Sequence, residues 1–293
     1  MLLLLQLFID GLAAGALYAL TAVGFAIIYN GSRILHLAHG GVFAFGGYCL
    51  YVLVKLLNVP AFAAVPIALG ATAAFGVLID VLVYRPLRAR NSSPAAILIA
   101  SIGVLTLCQA LYALFFSTDT LYLRQGPLPT FEFGDLTITI VHVLAALVAL
   151  VVFPALQLFL TRTRYGRAIR ALADNPRLAV VRGVDIEKLY VLIFAVGSLL
   201  AGIAVTLVAF DLGVRPEMGF PVMFVSLVAV IVGGVGYLPG AAAGGFLLGL
   251  LQNLSLWQLS GRWQDVIVFG ALLVFLIFRP QGLFGHMLAT RRV

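Results

Sequence analysis

The side chains in this 293-residue sequence that could take part in catalysis or metal binding are few and scattered. The chain has only 11 acidic residues, four histidines and two cysteines. Cys49 and Cys108 lie in apolar runs, and their spacing fits neither a metal site nor a disulfide framework. Neither an H-E-x-x-H metal motif nor a phosphate-binding P-loop occurs, and Lys55 and Lys188 are the only lysines. These features predict a protein that is not an enzyme and that holds no metal or cofactor of its own.

Two glycine-dense segments are the places where the chain is best suited to line a polar path. The first, residues 35–41, contains His36 and His39, and the second is residues 233–240. Each lies between long apolar runs, near opposite ends of the chain. Paired, interrupted helices in the two halves of a transporter are the best sequence pointer to its binding site. The predicted path-lining residues are His39, Gly40, Gly41, Gly233, Gly234 and Gly236.

Glycine in this chain also suits close packing between helices, so both interpretations stand at this point. Gly11 and Gly15 lie four residues apart, as do Gly245 and Gly249. In lipid, this spacing lets helix backbones approach closely and associate through van der Waals contact. The pattern therefore favours a compact bundle of helices.

The most informative polar stretch is residues 162–188, which carries a cluster of arginines. Residues 163–174 predict one short helix. Asn175 is a favourable N-cap and Pro176 suits the first helical position, so a second short helix is predicted to begin there and to end at Gly183 in a left-handed cap. A helix of about seven residues is unstable alone in water and must dock on something. Its own bundle, the lipid interface and a cytoplasmic partner protein are all candidates.

The elements that must position these residues follow from the composition. The chain is 63% apolar and 10% charged, whereas a soluble domain is about 45–50% apolar and about 25% charged. A water-soluble chain of this kind would expose large apolar patches and aggregate. The lipid bilayer is the solvent that accepts such a surface. The first apolar run has no basic region before it and continues to Tyr29, which predicts a retained span and not a cleaved signal peptide.

The apolar runs predict an all-α fold. Because a bilayer core about 30 Å thick needs about 20 apolar residues per helix, we predict a polytopic transmembrane helix bundle of about 8–10 spans. Three runs, which begin near residues 37, 218 and 240, are rich in glycine, and one or two of them are expected to be broken or re-entrant. No linker divides the chain, so residues 1–293 are predicted to form a single transmembrane domain. The nine candidate crossings are 6–29, 37–57, 61–84, 94–116, 136–160, 189–210, 218–236, 240–256 and 264–278.

The positive charges predict the orientation. If the runs cross in alternation, 14 of the 18 lysines and arginines fall on one side and four on the other. Such residues accumulate in cytoplasmic loops, so the N-terminus is predicted outside and the C-terminus in the cytoplasm. The net charge of +7 then reflects this bias and predicts no nucleic-acid partner. The inner charges are Arg33, Arg85, Arg88, Arg90, Arg162, Arg164, Arg167, Arg170, Arg177, Arg182, Lys188, Arg279, Arg291 and Arg292; the outer ones are Lys55, Arg124, Arg215 and Arg262.

Several motifs resemble those of the permease subunits of branched-chain amino acid ABC importers. Residues 10–24 (DGLAAGALYALTAVG) are similar to the opening motif of that family, and residues 33–40 (RILHLAHG) to its second motif. The similar segments span nearly the whole chain in the family's order. The sequence departs from the family at His36, where asparagine is common, and at Gln252, where an acidic residue is frequent. Further similar segments are 84–88, 166–171, 183–185, 233–236, 239–240, 244–245 and 279–285.

This resemblance implies an importer complex in the bacterial inner membrane. Two permease subunits, usually related but distinct chains, would sit on two cytoplasmic ATP-binding subunits that use the ATP. An extracytoplasmic solute-binding protein would deliver branched-chain or related hydrophobic amino acids. Residues 162–188 would be the coupling loop that inserts into the ATPase. The coupling residues implied by the family's motif are Gly166, Arg170, Ala171, Asp174, Gly183 and Asp185.

Other functions remain as alternatives. Importers of urea and short amides have closely similar permeases, and motifs alone hardly separate them. An ion-coupled secondary transporter or a channel is less well supported, because such proteins place carboxylates deep in the membrane. Here the acids nearest to the membrane interior lie close to the ends of the apolar runs, at Asp10, Asp80, Asp211 and Asp265. A membrane-embedded enzyme would need paired acids or a Ser/His arrangement at membrane depth, and the sequence shows neither.

Overall fold

A computed structural model describes residues 2–124, 126, 129–134 and 136–284. Gly285 of the last motif and the charges Arg291 and Arg292 lie outside the described residues. Within the described part, the chain forms twelve α-helices and one two-stranded sheet. The helices are α1 Leu2–Ser32, α2 His39–Tyr51, α3 Ala61–Ile79, α4 Arg85–Ala89, α5 Pro94–Phe116, α6 Ile140–Arg162, α7 Arg164–Asp174, α8 Pro176–Val181, α9 Ile186–Leu212, α10 Gly219–Gly233, α11 Leu238–Ser255 and α12 Gln264–Phe278.

Two of the helices continue through π-helical turns. α2 runs into the turn Val52–Leu56, and α3 runs into the turn Asp80–Tyr84, which leads directly to α4. A π-turn adds one residue to the helical turn and so changes which side chains face a neighbour. In the second turn it leaves both Asp80 and Tyr84 buried.

The helices confirm the predicted all-α, polytopic class. Within the described residues, seven helices are long and apolar enough to cross a membrane, or up to eight if a bent pair counts as one span. That pair is α10 and α11, which meet at 119°. It corresponds to the glycine-rich runs predicted at 218–236 and 240–256. The glycine-rich run predicted at 37–57 is a continuous span, His39–Leu56.

The hairpin that precedes α6 is an element that the apolar pattern does not predict. Its strands are β1 Thr130–Phe133 and β2 Leu136–Thr139, which pair antiparallel with Thr130 opposite Thr139. Threonine, phenylalanine and isoleucine favour extended backbone, and Gly134 adopts a positive φ in the turn.

The chain divides into two compact units, each built from segments distant in sequence. Unit 1 comprises Met1–Ala26, Gln125–Val151 and Phe224–Val293, and unit 2 comprises Ile27–Arg124 and Val152–Met223. The single permease domain stays a prediction.

Unit 1 is held together by glycine contacts between α1 and α11. A Cβ added at Gly245 would overlap the backbone of Ala19, and one added at Gly249 would overlap the backbone of Gly15. Because glycine has no side chain, the backbones of α1 and α11 come into direct contact, which is the packing that small residues permit in lipid. Buried Ser226 adds a hydrogen bond to Thr21, with 2.7 Å between the two hydroxyl oxygens.

Unit 2 has its core between α2, α3 and α9. Gly46 of α2 faces both neighbours, because an added Cβ would lie 2.6 Å from the Thr72 hydroxyl of α3 and 2.9 Å from Val205 of α9. The core also contains fully buried polar side chains, among them His36, Tyr84 and Ser101. Polar groups at this depth are costly and are often functional.

Candidate functional site

The polar stretch of residues 162–188, called the coupling segment from here on, begins with α7. Thr163 caps this helix, because its hydroxyl accepts a hydrogen bond from the Gly166 N–H at 2.9 Å. Ile169 and Leu172 are buried on one face. Gly166 is also buried, and a Cβ there would overlap the backbone of the last turns of α6. One apolar face of α7 is therefore packed against the rest of unit 2.

α8 follows after a single residue and has the predicted caps. The Asn175 side chain accepts a hydrogen bond from the Leu178 N–H at 3.2 Å, and Pro176 occupies the first helical position. Gly183 has a φ of +80°, which is left-handed backbone that other residues rarely adopt. Its N–H donates to the Val180 carbonyl at 2.8 Å and closes the helix.

Asp185 joins the coupling segment to α9 as the N-cap of that helix. Its carboxylate accepts a hydrogen bond from the Lys188 N–H at 3.2 Å, and the Lys188 ammonium lies 3.0 Å away. The backbone hydrogen bond and the ammonium lower the pKa of Asp185 below its ordinary value. A charged carboxylate at this position also interacts favourably with the N-terminal end of the helix dipole.

The coupling segment presents most of its predicted residues to the outside. Five of the six are exposed and only Gly166 is buried; the exposed ones are Arg170, Ala171, Asp174, Gly183 and Asp185. Large apolar side chains are exposed beside them, including Tyr165 at 67% and Val181 at 81%. Basic and apolar groups exposed together suit a protein partner. The coupling role of these residues stays a prediction.

Arg33 ties the end of α7 to the chain that follows α1. Its Nη2 donates a hydrogen bond to the Ala173 carbonyl at 2.8 Å. Ala173 lies in the last turn of α7, where carbonyls lack partners within the helix and the helix dipole favours a cation. The coupling segment is thus anchored to unit 2 at this end by a cation on a helix C-terminus.

α9 then runs antiparallel to α3 and α4, and side chains on the facing sides meet in pairs. Gly76 of α3 lies against Ser198 of α9, so closely that a Cβ on the glycine would overlap the serine hydroxyl. Toward the coupling segment, the Tyr84 ring lies 5.6 Å from the Phe194 ring. Small residues therefore pack deep in the pair, and aromatic residues follow toward its polar end.

Charged residues complete this helix pair next to the coupling segment, in a group that we call the Arg88 cluster: Asp80, Arg85, Arg88, Glu187 and Tyr190. Arg88 Nη1 lies 2.7 Å from Asp80 Oδ1, and Arg88 Nη2 lies 3.6 Å from Glu187 Oε2. Arg85 Nε lies 3.1 Å from the same Glu187 oxygen. The Arg88 guanidinium also lies over the Tyr190 ring, 4.2 Å from its centre, which is a cation–π contact.

Removing the charge of Asp80 should destabilise the protein strongly. The Asp80 and Arg88 side chains are only 1% and 15% exposed, so Asp80→Asn removes the buried carboxylate and leaves the cation only the more exposed Glu187 at 3.6 Å. Such a loss costs about 3–5 kcal/mol, whereas replacing both partners is often close to neutral. We expect thermal unfolding in detergent to show a large fall in Tm for Asp80→Asn and a smaller one for Asp80→Asn with Arg88→Gln. Equal falls in the two variants would show that the pair does not bury a charge.

A second polar group lies deeper in unit 2 and joins three elements by hydrogen bonds. Tyr84 donates to the Ser101 hydroxyl at 2.8 Å, and the Ala38 N–H donates to the same hydroxyl at 3.0 Å. His36 Nδ1 lies 2.8 Å from the Tyr84 hydroxyl. The tautomer of the histidine decides whether Nδ1 donates or accepts in this contact.

The surroundings of the His36 ring favour its neutral form. Complete burial lowers the pKa of His36 well below its ordinary value, and His39 acts in the same direction. Burial disfavours the charged imidazolium because it removes water. The ring also packs edge-on against Phe194 at 5.1 Å between centres. The structure thus gives His36 a place in the hydrogen-bonded core.

The predicted path residues of the first glycine segment are buried in unit 2. His39 is 1% exposed. A Cβ on Gly40 would lie 2.6 Å from the Gly219 carbonyl oxygen, and one on Gly41 would lie 3.2 Å from the Cys108 Cβ. These glycines allow α2 to contact α10 and α5 closely. Their part in a path stays a prediction.

The predicted path residues of the second segment form the turn between α10 and α11 in unit 1. Gly234 and Gly236 have φ values of +107° and +97°, which this sharp turn requires. Gly233 lies against Gly240 across the turn, so closely that a Cβ on either would overlap the other's carbonyl. Broken helices at such a turn suit a solute path, and this role also stays a prediction.

In the part of the chain that the structure describes, no group of three or more His, Cys, Asp or Glu side chains could hold a metal ion.

Comparison with known proteins identifies the family. The sequence model of the branched-chain amino acid transport system permease component matches residues 7–277. The chain belongs to this family. The permease is 32% identical to the high-affinity branched-chain amino acid transport system permease protein BraD of Pseudomonas aeruginosa, over 96% of each chain.

Other relatives define how far the similarity extends. The permease is 29% identical to LivH of Escherichia coli, a high-affinity branched-chain amino acid transport system permease protein, again over 96% of each chain. A xylose transport system permease protein of Escherichia coli, XylH, is 30% identical over 54% of this chain and 46% of its own length. The two branched-chain permeases therefore match nearly the whole chain, and the sugar permease matches about half of it.

A solved structure shares the fold. PsaBC from Streptococcus pneumoniae, solved in complex with a Fab, matches with a TM-score of 0.54 over 99% of this chain and 96% of that chain. The two sequences are 13% identical, so this likeness concerns the fold alone.

The sequence analysis missed most of the Arg88 cluster as a functional group. Asp80, Tyr84 and Arg88 recur every four residues, a spacing that places side chains on one face of a helix. Glu187, Tyr190 and Phe194 follow the matching spacing on α9. These two patterns were visible, but only the structure shows that the two faces meet.

Proposed function

We propose that this permease forms the membrane path of an ATP-binding-cassette importer for branched-chain or related hydrophobic amino acids. Its family and its similarity to BraD and LivH over 96% of each chain support this proposal. The sequence has no P-loop lysine of its own. ATP is then bound and hydrolysed by a partner chain.

The observation that carries the proposal is the form of the coupling segment. It is a pair of short capped helices whose inner face is docked on unit 2 and whose outer face exposes arginines beside Tyr165 and Val181. Two short helices that expose apolar side chains are unfavourable without a partner. A groove on a cytoplasmic ATPase would cover them, and closure of the ATPase on ATP would push on the start of α9.

The proposed complex contains four kinds of chain in the bacterial inner membrane. A second permease subunit pairs with this one, two ATP-binding subunits lie on the cytoplasmic side, and a solute-binding protein docks on the outer side. In this arrangement the exposed residues Arg170, Ala171, Asp174, Gly183 and Asp185 form the contact with the ATPase, and the buried Gly166 supports them by letting α7 pack against α6.

The bent pair of α10 and α11 agrees with the proposed orientation. If the pair enters and leaves the membrane on the same side, the remaining seven helices cross it in alternation. The N-terminus then lies outside and the arginine-rich segments lie in the cytoplasm, as the positive-inside bias requires. Arg215 and Arg262, on the two sides of the pair, both fall outside.

Uptake by the complete complex tests the substrate class. We expect reconstituted vesicles to accumulate radiolabelled leucine, and unlabelled valine in excess to suppress the signal, because both would compete for one solute-binding protein. Urea and acetamide in the same excess should leave it unchanged. Suppression by urea or acetamide but not by valine would replace this proposal with the short-amide importer.

A further inference from the structure

The start of α9 is where the coupling segment meets the membrane-spanning helices of unit 2. Asp185 caps α9, and Glu187 lies in its first turn. The Glu187 carboxylate reaches Arg85 Nε at 3.1 Å and Arg88 Nη2 at 3.6 Å. Glu187 therefore connects the last residues of the coupling segment to α4 through two ion pairs.

Arg88 is shared between a buried acid and an exposed one. Asp80 is 1% exposed and holds Arg88 at 2.7 Å, whereas Glu187 is 44% exposed and lies at a longer distance. Among the described residues, the buried Arg88 Nε has no hydrogen-bond partner. The guanidinium is thus within reach of both carboxylates, one fixed in the core and one on the coupling segment, which is the physical connection that coupling between two sites requires.

Stability alone does not account for this arrangement. The desolvation of a buried ion pair offsets most of its Coulomb attraction, and the best-attested use of such pairs is to fix the register of neighbouring elements. Here the register is that of α9 against the continuous helix of α3 and α4. The same register brings Tyr84 against Phe194 and Gly76 against Ser198, so the charged end and the deeper contacts belong to one packed interface.

We propose that Glu187 is a positioning residue which transmits displacement of the coupling segment to α4, through Arg85 and Arg88. This inference rests on the proposed importer function and adds the route by which ATP-driven movement enters the bundle. Without the carboxylate, the start of α9 moves independently of α4, and ATP hydrolysis continues with less solute carried per ATP.

The first test compares uptake with ATP hydrolysis in the complete reconstituted complex. Glu187→Gln should assemble and hydrolyse ATP, while the amount of leucine taken up per ATP falls about fivefold or more, the lower end of typical coupling energies. The matched control is Glu217→Gln, the same change at an exposed glutamate of unit 2 outside the cluster. An unchanged ratio in Glu187→Gln would overturn the inference.

A double-mutant cycle identifies the route. If Glu187 acts through the arginines, the uptake per ATP of Glu187→Gln with Arg85→Gln should equal that of Glu187→Gln alone, since the ion pair lost in Arg85→Gln is already lost in Glu187→Gln. If Glu187 instead contacts the ATPase directly, the two reductions should multiply. Multiplied reductions would contradict the proposed route.

A readout that needs no solute separates this inference from the proposed function. Spin labels at exposed Leu82 and Lys188 report the distance between the π-turn before α4 and the first turn of α9, in a background with Cys49 and Cys108 replaced by alanine. We expect ATP to leave this distance unchanged in the parent complex and to broaden or shift it in Glu187→Gln. The same response in both would overturn the inference, whereas absence of leucine uptake by the parent complex would overturn only the proposed substrate.

Discussion

Gly245→Leu should prevent the permease from folding. A Cβ at this position would overlap the Ala19 backbone and would lie 2.8 Å from the Tyr18 carbonyl carbon. Backbone atoms cannot move aside by changing a rotamer, so α1 and α11 must separate. Overpacking a core costs about 1–3 kcal/mol and occasionally more, and a leucine against backbone belongs at the upper end. We expect little monodisperse protein in size-exclusion chromatography of detergent extracts.

The matched control is Gly270→Leu on α12. A Cβ at Gly270 meets no described atom within 4 Å. Leucine is also a better helix former than glycine, by about 0.5–1 kcal/mol. We therefore expect normal amounts of protein and an unchanged or higher Tm. Equal losses in the two variants would show that tolerance depends on the side chain added and not on the contact between α1 and α11.

Gly183→Val should strongly reduce transport while leaving the protein in the membrane. Gly183 has a φ of +80° and is exposed, with no described atom within 4 Å of an added Cβ. Left-handed backbone costs an ordinary residue about 1–2 kcal/mol, and a β-branched one fits there worst. The strain should unwind the end of α8 and displace the Asp185 cap. We expect uptake by the complete complex to fall by about tenfold or more, as a cost of this size implies, with normal insertion.

Gly183→Asn tests whether backbone conformation is the cause. Asparagine tolerates left-handed backbone and is the usual second choice at helix C-caps. It should restore most of the uptake that valine removes. If asparagine and valine reduce uptake equally, the position requires the absence of a side chain, as a tight contact with the ATPase would.

Much of the fold could be predicted because a bilayer imposes a simple rule on sequence. Each crossing needs about 20 apolar residues, so the runs at 61–84 and 94–116 correspond closely to the described spans Ala61–Ala89 and Pro94–Phe116. The bent pair was expected only as one possibility among three glycine-rich runs. Its angle depends on the contact between Gly233 and Gly240, which composition does not encode. The hairpin before α6 was missed because its polar surroundings resemble a loop.

The coupling segment was predictable for a different reason. Asn175, Pro176 and Gly183 act through their own backbone geometry, so their positions alone define α8. The Arg88 cluster could not be predicted in the same way, because Asp80 and Glu187 are more than a hundred residues apart and meet only when α3 and α9 pack. For His36, the family resemblance gave no role, and its partner Tyr84 was known only as part of a motif. Tertiary packing determines both the Arg88 cluster and the contact between His36 and Tyr84.

The most direct test of the account asks whether this permease moves solute only when ATPase subunits drive it. Vesicles should contain either the permease pair alone or the same pair with its two ATP-binding subunits. In each case the cytoplasmic face meets the vesicle lumen, which holds ATP, and the solute-binding protein is added outside. The account predicts accumulation of leucine against its gradient only in the complete complex, and its loss when ATP is replaced by a non-hydrolysable analogue. Accumulation by the permease pair without ATP-binding subunits would contradict it.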